Sequence, residues 1–94
     1  MHDPGGLEFR WIDWNIDHIA EHGVTPEEAE AAIRSARRPF PQQREEERWL
    51  VWGRGSGGRL LQVVFVLDDD DTAFVIHARP LTVSEKKKFR KRSK

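Results

Sequence analysis

Between residues 48 and 79, three apolar runs are separated by two short turn-forming stretches, which leaves little choice but an antiparallel meander. The runs cover 48–54, 59–67 and 72–79. Gly55-Ser56-Gly57-Gly58 joins the first pair, and four consecutive aspartates at 68–71 join the second. Connections this short fold a strand back on its neighbour, because a parallel crossover needs a dozen residues or more. The middle run is nearly continuous apolar sequence and belongs in the centre of the sheet, covered on both faces. In the first run Arg48, Leu50, Trp52 and Arg54 share one face, and Trp49 and Val51 take the other. One of the two tryptophans therefore points away from any layer packed on the sheet.

Upstream, Leu7, Phe9 and Trp11 alternate with Glu8 and Arg10, which predicts a half-buried strand over 7–12. Ile16, Ile19 and Ala20 fall at helical spacing, so a helix is expected over 15–22, stopped by Gly23 in the left-handed conformation. Thr25, Pro26 and Glu28 form a helix start, with Thr25 as cap, Pro26 in the first turn and Glu28 at the capping-box position. This second helix should run to about Ala36 and bury Ala29, Ala32, Ile33 and Ala36, small residues that allow close approach to a sheet. Pro39 and Pro41 end it and open a polar loop through Glu47. Thr82 and Glu85 repeat the capping-box spacing, so the last segment starts as a helix. The expected class is α+β, in the order β-α-α-β-β-β-α, with one antiparallel sheet and two helices on one face. A basic C-terminal helix lies beside the face left open.

Ninety-four residues make a single small domain. Residues 85–94 hold seven of its sixteen Lys and Arg and one of its sixteen acids, so a formal net charge of zero hides a basic pole on an acidic body. Such a pole attracts phosphate by releasing condensed counterions, although a charge run at a terminus also occurs as plain solvated tail. No cysteine is present, which excludes a disulfide framework and thiolate metal sites. The N-terminal MHDPGG has no secretory pattern, and the longest apolar run, 63–67, is too short for a bilayer. A soluble cytoplasmic domain without membrane contact is expected.

Strict alternation along the last strand places Val75, His77 and Arg79 on one face and Phe74, Ile76 and Ala78 on the other. With the apolar set turned to the helices, His77 and Arg79 lie on the open face beside the basic helix. That juxtaposition suits RNA cleavage by 2′-hydroxyl attack, which needs a base, an acid and cations on the phosphate. Arg48, Arg54, Lys86, Lys87, Lys88 and Arg90 are the candidate backbone-binding cations. The structural alternative makes His77 a strand-end histidine and pairs Arg79 with an acid. Trp49 and Trp52 are read as interface residues, with base stacking as the second reading. His18 and His22 stand four apart, but a metal pair lacks its third ligand, and histidines at a helix end also cap carbonyls. The aspartates at 68–71 lack the Gly and Glu of a calcium loop and read as a solvated hairpin tip. GRGSGG lacks the Lys-Ser/Thr of a phosphate loop and reads as a turn. No metal or other cofactor is expected.

Two stretches carry a family likeness. WNIDHIAEHGVTPEEAE, residues 14–30, and HARPLTVSEKKKFRK, residues 77–91, flank a central hairpin RWLVWGRGSGGRLLQVVFV at 48–66. In this order they resemble the BrnT toxins, small ribonuclease toxins of bacterial type II toxin–antitoxin pairs with a RelE-like fold. The resemblance implies two helices against a strongly curved antiparallel sheet, cleavage of RNA, and inhibition of translation. It also lets His22 face the RNA site. It implies a cognate antitoxin as partner, commonly with a ribbon-helix-helix half, and contact with DNA only through that antitoxin. The chain departs from the pattern at Glu21, where the family usually has Lys, at Phe89, where Tyr is frequent, and in its neutral net charge. Those departures motivate the alternative of a non-catalytic orphan module that binds protein or nucleic acid. A homodimer assembled through exposed tryptophan and strand edges is a third expectation.

Overall fold

The computed structural model describes residues 7–92, so MHDPGG and the last two residues of the basic run lie outside it. Its elements are β1 (Phe9–Arg10), α1 (Asp13–Ala20), α2 (Pro26–Arg34), β2 (Gln42–Gln43), β3 (Arg48–Arg54), β4 (Leu60–Leu67), β5 (Ala73–Pro80) and α3 (Val83–Arg92), with a 3-10 turn at Glu45–Glu47. Among the described residues this is a small α+β fold of three helices and one five-stranded sheet in the order β1-β5-β4-β3-β2. The apolar β4 takes the centre, as its composition requires.

The sheet is mixed, which corrects the antiparallel expectation. The β3–β4 and β4–β5 hairpins are antiparallel, but β1 pairs parallel to β5 through Phe9↔Ala73 and Arg10↔Phe74. β1 shrinks to two residues because Asn15 intervenes. Its fully buried side chain accepts from the Ile12 amide at 2.8 Å and donates to the Arg10 carbonyl at 3.1 Å, turning the chain from strand into α1. Leu7, Phe9 and Trp11 still reach the core, and Trp11 Nε1 donates to Glu30 of α2 at 2.7 Å.

α1 and α2 cover one face. Gly23 sits at φ 72° before the second helix, and Thr25 and Glu28 make both capping-box bonds, at 3.2 and 3.3 Å. Ala29, Ala32 and Ile33 are fully buried against Val51, Leu61, Val63 and Phe65. Each large side chain so removed from water contributes roughly 1.5–3 kcal/mol. Contact is closest at Gly53, where an added Cβ would run into the Ala32 carbonyl. Only a residue without a side chain lets the α2 backbone settle on β3 there.

The loop expected to be irregular up to Glu47 contains β2, whose Gln42 pairs with Leu50. This brings Phe40 over the opposite sheet face, 5.6 Å from the Trp52 ring, and leaves Phe40 and Leu50 less than a tenth exposed. At the other end, α3 starts at Thr82 with both capping-box bonds formed, at 2.8 and 3.1 Å. Among the described residues no helix is long and apolar enough to cross a membrane.

Candidate functional site

A β-bulge sets which β5 side chains reach the open face. Val63 pairs with Ala78 and Val64 with His77, but Phe65 pairs with Val75, so Ile76 is an extra residue on β5. Val75 and Ala78 consequently both face the helices and are fully buried. Phe74, His77 and Arg79 lie on the open side, opposite Val66, Val64 and Gln62. Strict alternation put Val75 with His77 and Phe74 with Ala78; the bulge overturns both placements and leaves His77 and Arg79 on the expected face.

Arg79 is engaged through both of its terminal nitrogens. Its Nη1 and Nη2 donate to Glu85 Oε1 and Oε2 at 2.8 and 2.9 Å, Nη1 also to the Pro80 carbonyl at 3.1 Å, and Nη2 also to Gln62 Oε1 at 3.2 Å. Gln62 Oε1 accepts in turn from Trp52 Nε1 at 3.1 Å, completing a row of polar contacts across β3, β4 and β5 into α3. The Arg79 guanidinium, followed by the Thr82 amide, pulls the Glu85 carboxyl down to about 2. The two-point geometry with which an arginine can clamp phosphate is taken, at Arg79, by a carboxylate of its own chain.

His77 meets His18 and His22 instead. Its ring centroid lies 5.4 Å from that of His22 and 6.4 Å from that of His18, both edge to face. His22 follows α1 in the turn, so the four-residue spacing aims both imidazoles at the β5 edge. Burial lowers the His77 pKa first, and the nearby charges of His22, Arg79 and His18 lower it further. His77 therefore favours the neutral imidazole, the form that accepts a proton. Among the described residues no group of three His, Cys, Asp or Glu is arranged to hold a metal ion.

Trp14 and Phe74 extend this strip, and sequence reasoning missed both. Trp14 stacks on His18 at 5.0 Å and on Phe74 at 6.1 Å, and the Arg10 guanidinium lies 4.2 Å over Phe74. Trp14 is 52% exposed. The i,i+4 spacing of Trp14 and His18 was visible in the sequence; the bulge that turns Phe74 outward was not.

The backbone-binding cations divide. Arg54, Lys86 and Arg90 line one notch of about 180 Å³ with Gly58, Arg59, Leu60 and Pro80. Lys87 and Lys88 are exposed on α3 and do not line it. Arg48 sits at the far end of β3, about 20 Å from Arg54 at strand spacing, beside Glu46 at 3.3 Å. Trp52 lies between them, its ring 5.6 Å from that of Phe40 and its Nε1 bonded to Gln62. Trp49, partly buried, packs against the core from the helix side.

No protein family, curated protein or solved structure matches this chain. Its chemistry follows from its own side chains: a proton-accepting imidazole beside a second one, with a cationic notch on the same face. Val64, opposite His77, lies four positions along β4 from Leu60 in the notch, or about 13 Å.

Proposed function

We propose that the chain is a metal-independent endoribonuclease, the toxin of a type II toxin–antitoxin pair built on a BrnT-type, RelE-like domain. The observation that carries this reading is the His77–His22 pair, with His77 held toward its neutral form on a face that also bears the notch. His77 takes the proton of an RNA 2′-hydroxyl, whose oxygen attacks the adjacent phosphorus. His22 gives a proton to the departing 5′-oxygen. The products are a 2′,3′-cyclic phosphate and a 5′-hydroxyl end, and the two imidazoles account for both proton transfers. Arg54, Lys86 and Arg90 hold the backbone at a distance from the scissile bond. The partner is a cognate antitoxin, ribbon-helix-helix in its DNA-binding half, and the pair works in the cytoplasm.

Purified protein should cut RNA in excess EDTA, and His77→Asn should slow cleavage by about 10²–10⁴-fold with an unchanged circular dichroism spectrum. RNA that stays intact at high protein concentration, free and on ribosomes, would sink the reading. The Arg79–Glu85 pair favours a second one, a non-catalytic binding module, because it withholds the arginine nearest the imidazoles from phosphate. RNA retained without being cut, with harmless expression in the absence of any antitoxin, would select that alternative.

A further inference from the structure

We infer that the notch between the β3–β4 turn and α3 is a phosphate site, taking the dianionic monoester at the end of a phosphorylated nucleic-acid chain. This deepens the RNA-binding half of the reading above and does not depend on cleavage at the imidazoles. Lys86 and Arg90, four apart on one face of α3, form one wall; Arg54 and Arg59 form the other; Leu60 and Pro80 supply the apolar lining.

The walls are fixed by different means. Arg59 is spent: its Nε and Nη2 donate to Glu28 at 3.1 and 2.8 Å, and Nη2 also to the Gly23 carbonyl at 2.9 Å. Arg54 is held over the turn by Nη1 donating to the Gly58 carbonyl at 2.8 Å, which positions its charge without cancelling it. Glu85, the acid at the start of α3, is consumed by Arg79. Among the described residues no carboxylate pairs with Arg54, Lys86 or Arg90, so three cations converge uncompensated on one small space.

Size and charge narrow the ligand. A space of 180 Å³ is below the roughly 300 Å³ at which pockets begin to enclose drug-sized ligands, so it takes a phosphate and leaves the nucleoside outside. Three unpaired cations gain more from a dianion than from a backbone diester, which carries one charge and two bulky substituents.

The test uses the full chain carrying His77→Asn, so that RNA is not consumed. Titration with inorganic phosphate should shift the backbone amide resonances of Arg54, Gly58, Lys86 and Arg90. A 5′-phosphorylated ribo-oligonucleotide should bind about tenfold more tightly than its 5′-hydroxyl twin. Arg54→Gln combined with Lys86→Gln should erase both effects. Shifts confined to the histidine strip, no shifts at all, or equal binding of the two oligonucleotides would overturn the proposal. A wild-type chain that passes these tests yet cuts no RNA sinks the nuclease reading alone.

Discussion

One carboxylate, Glu85, does two jobs: it closes the α3 capping box and it neutralises Arg79. Its folded pKa lies near 2, below the ordinary 4.5, so the folded state gives up this proton more readily than the unfolded chain. The pair therefore adds stability above about pH 4.5 and loses it as pH falls toward 2. Glu28 and Asp70 shift in the same direction. Glu85→Gln should lower stability in urea at pH 7 by about 1 kcal/mol, a value reduced by solvent screening, and the gap should close near pH 2. His77 has the opposite chemistry and the same slope. Its folded value lies below 6.5, so stability rises with pH between that value and 6.5. In an NMR titration His77 should protonate below the free-imidazole range, and His22→Gln should move it up by removing a neighbouring charge. A His77 midpoint unmoved by that substitution would contradict the described cluster. Residue types and strand alternation marked His77 and Arg79, and the family resemblance added His22; the bidentate claim of Glu85 on Arg79 needed both groups in place.

The longest elements were the most legible. β3 occupies the predicted 48–54, and α2 starts where Thr25, Pro26 and Glu28 said it would, because a capping box is a local device that needs no tertiary partner. Alternation over 7–12 announced β1 but not its two-residue length, while β2, also two residues, is too short for any periodicity and exists because β3 offers an edge to pair with. The parallel β1–β5 pairing is likewise decided by where α1 and α2 deliver the chain. Between α2 and β3 the packing depends on one missing side chain. Gly53→Ala should cost about 1–3 kcal/mol in a thermal or urea melt, since the added methyl meets backbone that cannot rotate aside. A variant as stable as the parent would mean that α2 stands farther from the sheet than described.

Over the whole molecule, charge and core are separated. No buried hydrophobic among the described residues lies beyond Leu81, while the excess positive charge lies beyond Ser84. Ending the chain at Ser84 should therefore leave a cooperative fold with native sheet signal, and should abolish RNA retention at moderate salt. The full chain should show binding that falls steeply and linearly on a log–log salt plot; a truncated chain that still binds would place the interface elsewhere. Size-exclusion at several concentrations reports whether exposed Ile12, Trp14 and Ile16 bring two copies together.

Local chemistry in the sequence determined the three-strand meander, the central place of its apolar strand, the starts of α2 and α3 and the basic terminal helix, because hairpin length, capping spacing and charge act over a few residues. The tertiary structure alone decided that a bulge at Ile76 breaks the alternation of β5, that Glu85 captures Arg79, and that His77 meets the distant pair His18 and His22 at one edge. Each of those outcomes depends on where separate elements stop against one another, which no local pattern encodes.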